Sequence, residues 1–217
     1  MDFSFTEEQE DLRSEARRFL EANPSPTKAQ LDELGWTGIL QSDDFTFLDA
    51  AVLFEELGRA LYEGSYAEDE TGGDRTKLLA AYALEAVGIG SKVNEMAIAY
   101  VSEREQFGKK IGTYQAVAHS VVDAYVAVEL SRSLAYWAAW CVAEDDAQVA
   151  LAVAAANSQA TEAAVAACER SIQVHGGIGF TWEHPLHRYY KRALWLESAL
   201  GYGREHRAEI AASLLSS

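Results

Sequence analysis

VAHSVVDAYVAVELSRSLAYWAAWCV, residues 117–142, is the stretch that decides the fold. Apolar or small residues return at Val117, Val121, Ala124, Val128, Ser131, Ala135, Ala138 and Val142. These steps of four and three are the spacing of a helix face packed into a bundle seam. The repeat resumes at Val149, Val153, Ala156, Ala160, Ala163 and Ala167, and upstream a helical pattern runs from Leu78 to about Glu103. Small side chains along such seams let helix axes approach to roughly 8 Å. No proline interrupts the chain between Thr27 and His184, so long helices are permitted and the expected fold class is all-α.

The N-terminal part reads as a small helical unit. Thr6 followed by Gln9 has the form of a capping box, with Phe3 and Phe5 ahead of it and Leu12, Ala16, Phe19 and Leu20 at helical spacing behind. That helix should run about four turns and stop before Pro24-Ser-Pro26. Leu31 and Leu34 predict a short second helix ending at Gly35, and Ala51, Phe54, Leu57, Gly58 and Leu61 predict a half-buried third between Phe47 and Leu61. Glycines and carboxylates without apolar periodicity then predict a solvated linker. The expected division is a helical unit over 1–64, an acidic, glycine-containing linker over 65–77 and a helical bundle over 78–217.

A chain of 217 residues, 49% of them hydrophobic, is long enough to bury a substantial core. Its 18 lysines and arginines against 34 carboxylates give a formal charge of −16, which argues against nucleic acid and anionic membranes as partners. An anionic ligand has to be drawn by a local cluster. Arg188, Lys191, Arg192, Arg204 and Arg207 form the dense one, helped by Arg104, Lys109 and Lys110. Cys141 and Cys168 lie in apolar helical sequence without CxxC spacing, so buried free thiols in a reducing compartment are expected. The longest apolar run, near 147–156, is too short for a bilayer and no signal peptide is apparent, so a cytoplasmic location is expected.

Two motifs carry the chemistry. Arg104-Glu-Gln106-Phe107-Gly108, reaching to Gln115, and Gln173-Val-His175-Gly176-Gly177-Ile-Gly179-Phe180 flank the alanine-rich helical pair and read as helical sequence themselves. Each holds what a nucleotide pyrophosphate needs: a cation in Arg104, backbone N–H groups at the glycine pair, and amides at Gln115 and Gln173 able to bond a purine edge. In this order, and followed by Trp182-Glu-His184-Pro185, they resemble the C-terminal helical domain of acyl-CoA dehydrogenases over roughly residues 78–215. A fainter resemblance covers 1–64, in Phe3-Ser-Phe-Thr6-Glu-Glu-Gln9 and Glu55-Glu-Leu-Gly-Arg-Ala60. The family's middle β-domain, which holds the flavin ring, has no counterpart here; Glu63 to Asp74 stands at the join.

The resemblance implies that Arg104, Gln106, Phe107 and Gln115, with Gln173, His175, Gly176 and Gly177, bind the ADP part of FAD across a subunit interface. It also implies a missing base. The family removes a proton α to a thioester carbonyl with a glutamate, and the positions that correspond hold Leu200 or, for members with the base on the preceding helix, Ile98. Glu95 and Glu197 are each a turn away, about 5 Å off. No Glu-x-x-His pair supports a di-iron site, and His184 with His187 lacks further ligands for zinc. The aromatics among basic residues from Phe180 to Trp195 are expected at a subunit interface. The expectation is therefore a partner subunit of a heteromeric acyl-CoA dehydrogenase, with FAD shared with a full-length subunit and acyl-CoA reaching it through the complex. A flavin-free helical scaffold and a self-sufficient homo-oligomeric dehydrogenase are the alternatives.

Overall fold

The computed structural model describes residues 5–215, so Phe3 lies outside the described residues. The capping box forms as expected: the Gln9 N–H donates to Thr6 Oγ1 and the Thr6 N–H to Gln9 Oε1, both at 3.2 Å. Behind it α1 spans Glu7–Ala22, followed by α2 at Lys28–Glu33 and α3 at Phe47–Arg59. Helices α5 (Arg75–Glu103), α6 (Gln115–Ala143) and α7 (Val149–His175) run up, down and up as the body of the bundle. α8 (Leu186–Ala199) and α9 (Gly203–Leu215) pack on α7, while α3 lies on α5 and α6. The seam is where the repeat predicts it: Val121, Ala124, Val128, Ser131, Ala135 and Ala138 are buried on α6, facing Ala156, Ala160, Ala163 and Ala167 of α7.

Helices α3 and α5 cross backbone to backbone. A Cβ at Gly88 would overlap the Glu55 carbonyl and lie 2.6 Å from the Arg59 nitrogen. A Cβ at Gly58 would come within 2.7 Å of Glu85 Cα. Glycine inside a helix costs about 1 kcal/mol relative to alanine, and here it permits backbone-to-backbone packing. Three carboxylates lie buried along this crossing, and each is paired to a different helix. Glu55 accepts from Arg132 Nε at 3.0 Å and Tyr136 Oη at 2.7 Å, both on α6. Glu56 takes Arg17 of α1 at 2.6 and 3.1 Å, and Glu85 takes Arg192 of α8 at 2.6 and 2.9 Å. Burying a carboxylate without such partners is costly, so these pairs dictate which arginine-bearing helices close over the crossing.

Two expectations change. The stretch 65–77 is not a solvated linker: it contains α4, Tyr66–Thr71, with Tyr66, Ala67, Glu70 and Thr71 buried. Its carboxylates have partners that composition does not reveal. Glu70 accepts the N–H groups of Gly38 at 2.7 Å and Leu40 at 3.3 Å, Asp69 pairs with Lys28 at 2.8 Å, and Glu68 accepts from Tyr82 Oη at 2.7 Å. Only Gly72-Gly73, both at positive φ, act as a joint, after which Asp74 caps α5. The N-terminal unit is also not separate from the bundle, because one continuous hydrophobic core runs from Ala16 to Leu196.

Gly88→Ala gains helix propensity but has to separate two backbones, so a net destabilisation of about 1–3 kcal/mol is expected from overpacking. Gly177→Ala, where an added Cβ meets nothing within 4 Å, should leave the urea unfolding midpoint nearly unchanged. Equal midpoints for the two variants would refute the close crossing.

Candidate functional site

The up-down-up course of α5, α6 and α7 brings the C-terminus of α5, the N-terminus of α6 and the C-terminus of α7 to one end of the bundle. A small apolar cluster holds this end together: Ala97 and Val101 of α5 and Val121 of α6, with Ile111, Val117 and Val174 against them. The two motifs, far apart in sequence, therefore share one end of the fold.

The Arg104 motif is not helical. Arg104 ends α5, and the chain turns back in a hairpin in which β1 (Glu105–Gln106) pairs antiparallel with β2 (Lys109–Lys110). Phe107 and Gly108 form its two-residue turn at φ of +53° and +80°, both left-handed, as a turn matched to strand twist requires. Such a φ is strained for phenylalanine, yet the ring is 93% exposed and pays back no burial. The hairpin is braced at its base: the Ile111 N–H donates to the Arg104 carbonyl at 2.8 Å, and Tyr114 Oη donates to the Gln106 carbonyl at 3.1 Å. Arg104 is exposed and makes no ion pair among the described residues. Gln115 is the first residue of α6 and also exposed.

Across the bundle end, α7 stops at His175 and the chain turns at Gly176, φ +63°. Gln173, Gly176 and Gly177 are exposed. An added Cβ on either glycine meets nothing within 4 Å, so open space lies over the loop for a ligand to approach its backbone. Packing instead requires glycine at Gly179, where a Cβ would stand 2.8 Å from the Ile172 carbonyl oxygen. His175 is only 5% exposed, and its Nδ1–H donates to the Ser171 carbonyl at 2.7 Å. Its ring stacks on Tyr100 of α5 at 4.3 Å and contacts His184 at 4.6 Å. Tyr100, one turn before Arg104, is thus the link between the two motifs. It was missed in the sequence, where an aromatic on a helix reads as core.

Neither position that the resemblance implies for a base is ionisable. Leu200 caps α8 and Ile98 is a 41% exposed aliphatic on α5. Glu95 is engaged by Arg59, and by Lys92 at 3.9 Å. Glu197 lines a cleft of about 440 Å3 with Glu162, Tyr202, Gly203, Arg204 and Arg207. Its carboxyl is pushed up by burial and by Glu162 and Glu169. Cys141 and Cys168 are both buried free thiols, and burial pushes each up. No helix among the described residues is long and apolar enough to cross a membrane.

The loop also contains a titratable support. The Leu186 N–H at the start of α8 donates to His184 Nδ1 at 3.4 Å, and His187 Nδ1–H donates to the His184 carbonyl at 2.8 Å. Burial, then His175 and His187, push His184 below its ordinary value of 6.5. A histidine held down in the folded state contributes stability above its unfolded pKa, and that stability is lost as pH falls through the folded value. The thermal midpoint should therefore drop on going from about pH 7.5 to pH 5. His184→Asn, whose amide oxygen can accept from Leu186, should flatten that drop. An unchanged slope would refute the role of His184.

Comparison with known proteins places the chain. Residues 80–215 match the model of the acyl-CoA dehydrogenase C-terminal domain. The acyl-CoA dehydrogenase FadE34 of Mycobacterium tuberculosis is 42% identical over 135 residues, 61% of this chain and 19% of the relative. The acyl-CoA dehydrogenase IpdE2 of Mycolicibacterium smegmatis is 34% identical over 149 residues, 68% of this chain and 45% of the relative. The chain thus spans less than half the length of these curated relatives. Among solved structures, a chain of the ChsE4-ChsE5 complex from Mycobacterium tuberculosis matches with a TM-score of 0.89 at 18% identity, covering 100% of this chain and 100% of that one. An acyl-CoA dehydrogenase from Geobacillus kaustophilus matches at 0.61 and 21% identity over 64% of this chain and 37% of that one. At these identities the structures show the shared helical fold.

Proposed function

We propose a function from one established premise, that this chain belongs to the acyl-CoA dehydrogenase family: it is the partner subunit of a heteromeric, FAD-dependent acyl-CoA dehydrogenase. In this reading it lends the ADP-gripping half of a flavin site to a full-length subunit. The observation that carries the reading is the exposed, braced hairpin with Phe107 at its tip and, at its base, Arg104, exposed and without an ion pair among the described residues. A strained, solvent-facing aromatic beside a free cation suits a neighbour's site better than a site closed within one chain.

The residues fit the adenine end of the cofactor. The Arg104 guanidinium offers a fork of N–H donors matched to a pyrophosphate. Gln115 and Gln173 supply amides for a purine edge, and the open backbone at Gly176 and Gly177 supplies N–H donors to oxygens. Gln106 and Phe107 would reach onto the neighbour, while His175, being buried, would act by fixing the loop from beneath. Bound FAD would accept the hydride that leaves the β carbon of an acyl thioester. The acceptor for the α proton would come from the partner, because Leu200 and Ile98 cannot take a proton, Glu95 is committed to Arg59 and Lys92, and Glu197 faces the cleft beside Glu162, Arg204 and Arg207 instead of the bundle end that holds the two motifs. The segment around α4 would stand in place of the family's middle domain. That the related ChsE4-ChsE5 structure is itself a complex of two differently named chains supports the heteromeric reading.

The chain purified alone should carry no flavin, and co-expression with a full-length acyl-CoA dehydrogenase of its own genome should yield a yellow complex. Losing the charged hydrogen bonds of Arg104 costs about 2 kcal/mol, so Arg104→Ala should weaken FAD retention by roughly ten- to a hundredfold in a flavin-release titration. Stoichiometric FAD on the lone chain would contradict the reading.

A further inference from the structure

The basic run of α8 lies on one face of the helix. Arg188, Lys191, Arg192 and Trp195 recur at steps of three and four, beside the buried face made by Tyr189, Ala193 and Leu196. Opposite them stands the end of α3. That helix closes with the Leu61 N–H donating to the Gly58 carbonyl at 3.0 Å and the Tyr62 N–H to the Leu57 carbonyl at 2.9 Å. Helices closed in this way usually end on glycine, but here Leu61 takes the left-handed position, at φ +55°. The turn sets Tyr62 and Glu63 across from α8 and leaves a cleft of about 300 Å3 between the two helices.

Leu61, Tyr62 and Trp195 give the cleft apolar walls, and its cations are Arg188, Lys191 and Arg192. The three differ in availability. Arg192 is neutralised by the buried Glu85, at 2.6 and 2.9 Å, and lies over the Trp195 ring at 4.1 Å. Arg188 meets Glu63 at 2.7 Å in a solvent-exposed pair, which is weakly held. Lys191 makes no ion pair among the described residues, and its Nζ rests 4.9 Å from the centre of the Trp182 ring. The chain as a whole carries a formal charge of −16, so only a local field of this kind draws an anion. Apolar walls on which a few polar groups converge are the make-up of a small-molecule site. One uncommitted charge matches a monoanion, whereas a phosphate would need a second cation and would leave the walls in water.

We propose that the cleft between α3 and α8 binds an amphipathic monoanion, a carboxylate carried on a compact ring system, with the carboxylate on Lys191 and the rings against Leu61, Tyr62 and Trp195. Glu63 is the internal competitor, because its carboxylate occupies Arg188 at the rim. No residue lining the cleft belongs to either motif at the bundle end, so the site stands whether or not the chain completes a partner's flavin site.

The test is an NMR titration of the isotope-labelled full chain with naphthoate, following the indole N–H signals of its five tryptophans. The Trp195 signal should shift saturably. Naphthylmethylamine, which has the same rings and the opposite charge, and inorganic phosphate, an anion without rings, should each bind at least tenfold more weakly. Lys191→Met keeps the apolar stem on Trp182 and removes the charge, so naphthoate affinity should fall about tenfold. Glu63→Gln releases Arg188 and should raise the affinity severalfold. Both positions are exposed, and an unchanged melting midpoint checks the fold; if Lys191→Met fails that check, Glu63→Gln decides. No Trp195 shift at millimolar naphthoate, or an equal affinity for naphthylmethylamine, overturns the site. Phosphate bound as tightly as naphthoate overturns the amphipathic ligand. Unchanged affinity in Lys191→Met, or no gain in Glu63→Gln, overturns the placement of the carboxylate.

Discussion

The crossing of α3 over α5 at Gly58 and Gly88 is the constraint on which the rest of the structure depends. Removing two side chains lets the backbones touch, and that contact buries Glu55, Glu56 and Glu85. Desolvated carboxylates demand cations, and the cations arrive from α6, α1 and α8. One crossing therefore orients five helices. It also sets the rotational phase of α5, and with it the direction in which Tyr100 and Arg104 emerge at the far end. The Glu55-Glu-Leu-Gly-Arg-Ala60 motif, noticed in the sequence as a family trace, thus has a physical meaning: close approach and internal ion pairing.

Much of this was legible beforehand because it is periodic. The seam from Val117 to Val142, the Thr6–Gln9 cap and the proline-free run each report a local rule that tertiary packing then obeys. What escaped was aperiodic. The hairpin is too short for strand alternation to register, and Phe-Gly is a weaker turn signal than Asn-Gly. Composition alone makes the carboxylates of α4 look like surface charge, whereas Glu70 and Glu68 are buried or half-buried acceptors for groups distant in sequence. Composition reports charge without reporting its partner.

At the site the division is similar. Arg104, Gln115, Gln173, Gly176 and Gly177 were picked out by residue type, and their gathering at one bundle end follows from helix lengths that match, 29, 29 and 27 residues for α5, α6 and α7. Sequence could not separate the roles of the three loop glycines: Gly179 makes room for the Ile172 carbonyl, while Gly176 and Gly177 face open space. Nor could it show that His175 points inward, since only the stack with Tyr100 and the bond to Ser171 reveal that.

The bracing of the hairpin has a further consequence, for the thermodynamics of encounter. A loop that has to be ordered on contact surrenders conformational freedom at that moment, and the loss is subtracted from the affinity. Here the ladder between Gln106 and Lys109, with the bonds from Ile111 and Tyr114, has already surrendered it during folding. Phe107 is thus held on a pre-shaped backbone, and any contact that buries its ring is spared the entropy of ordering the loop.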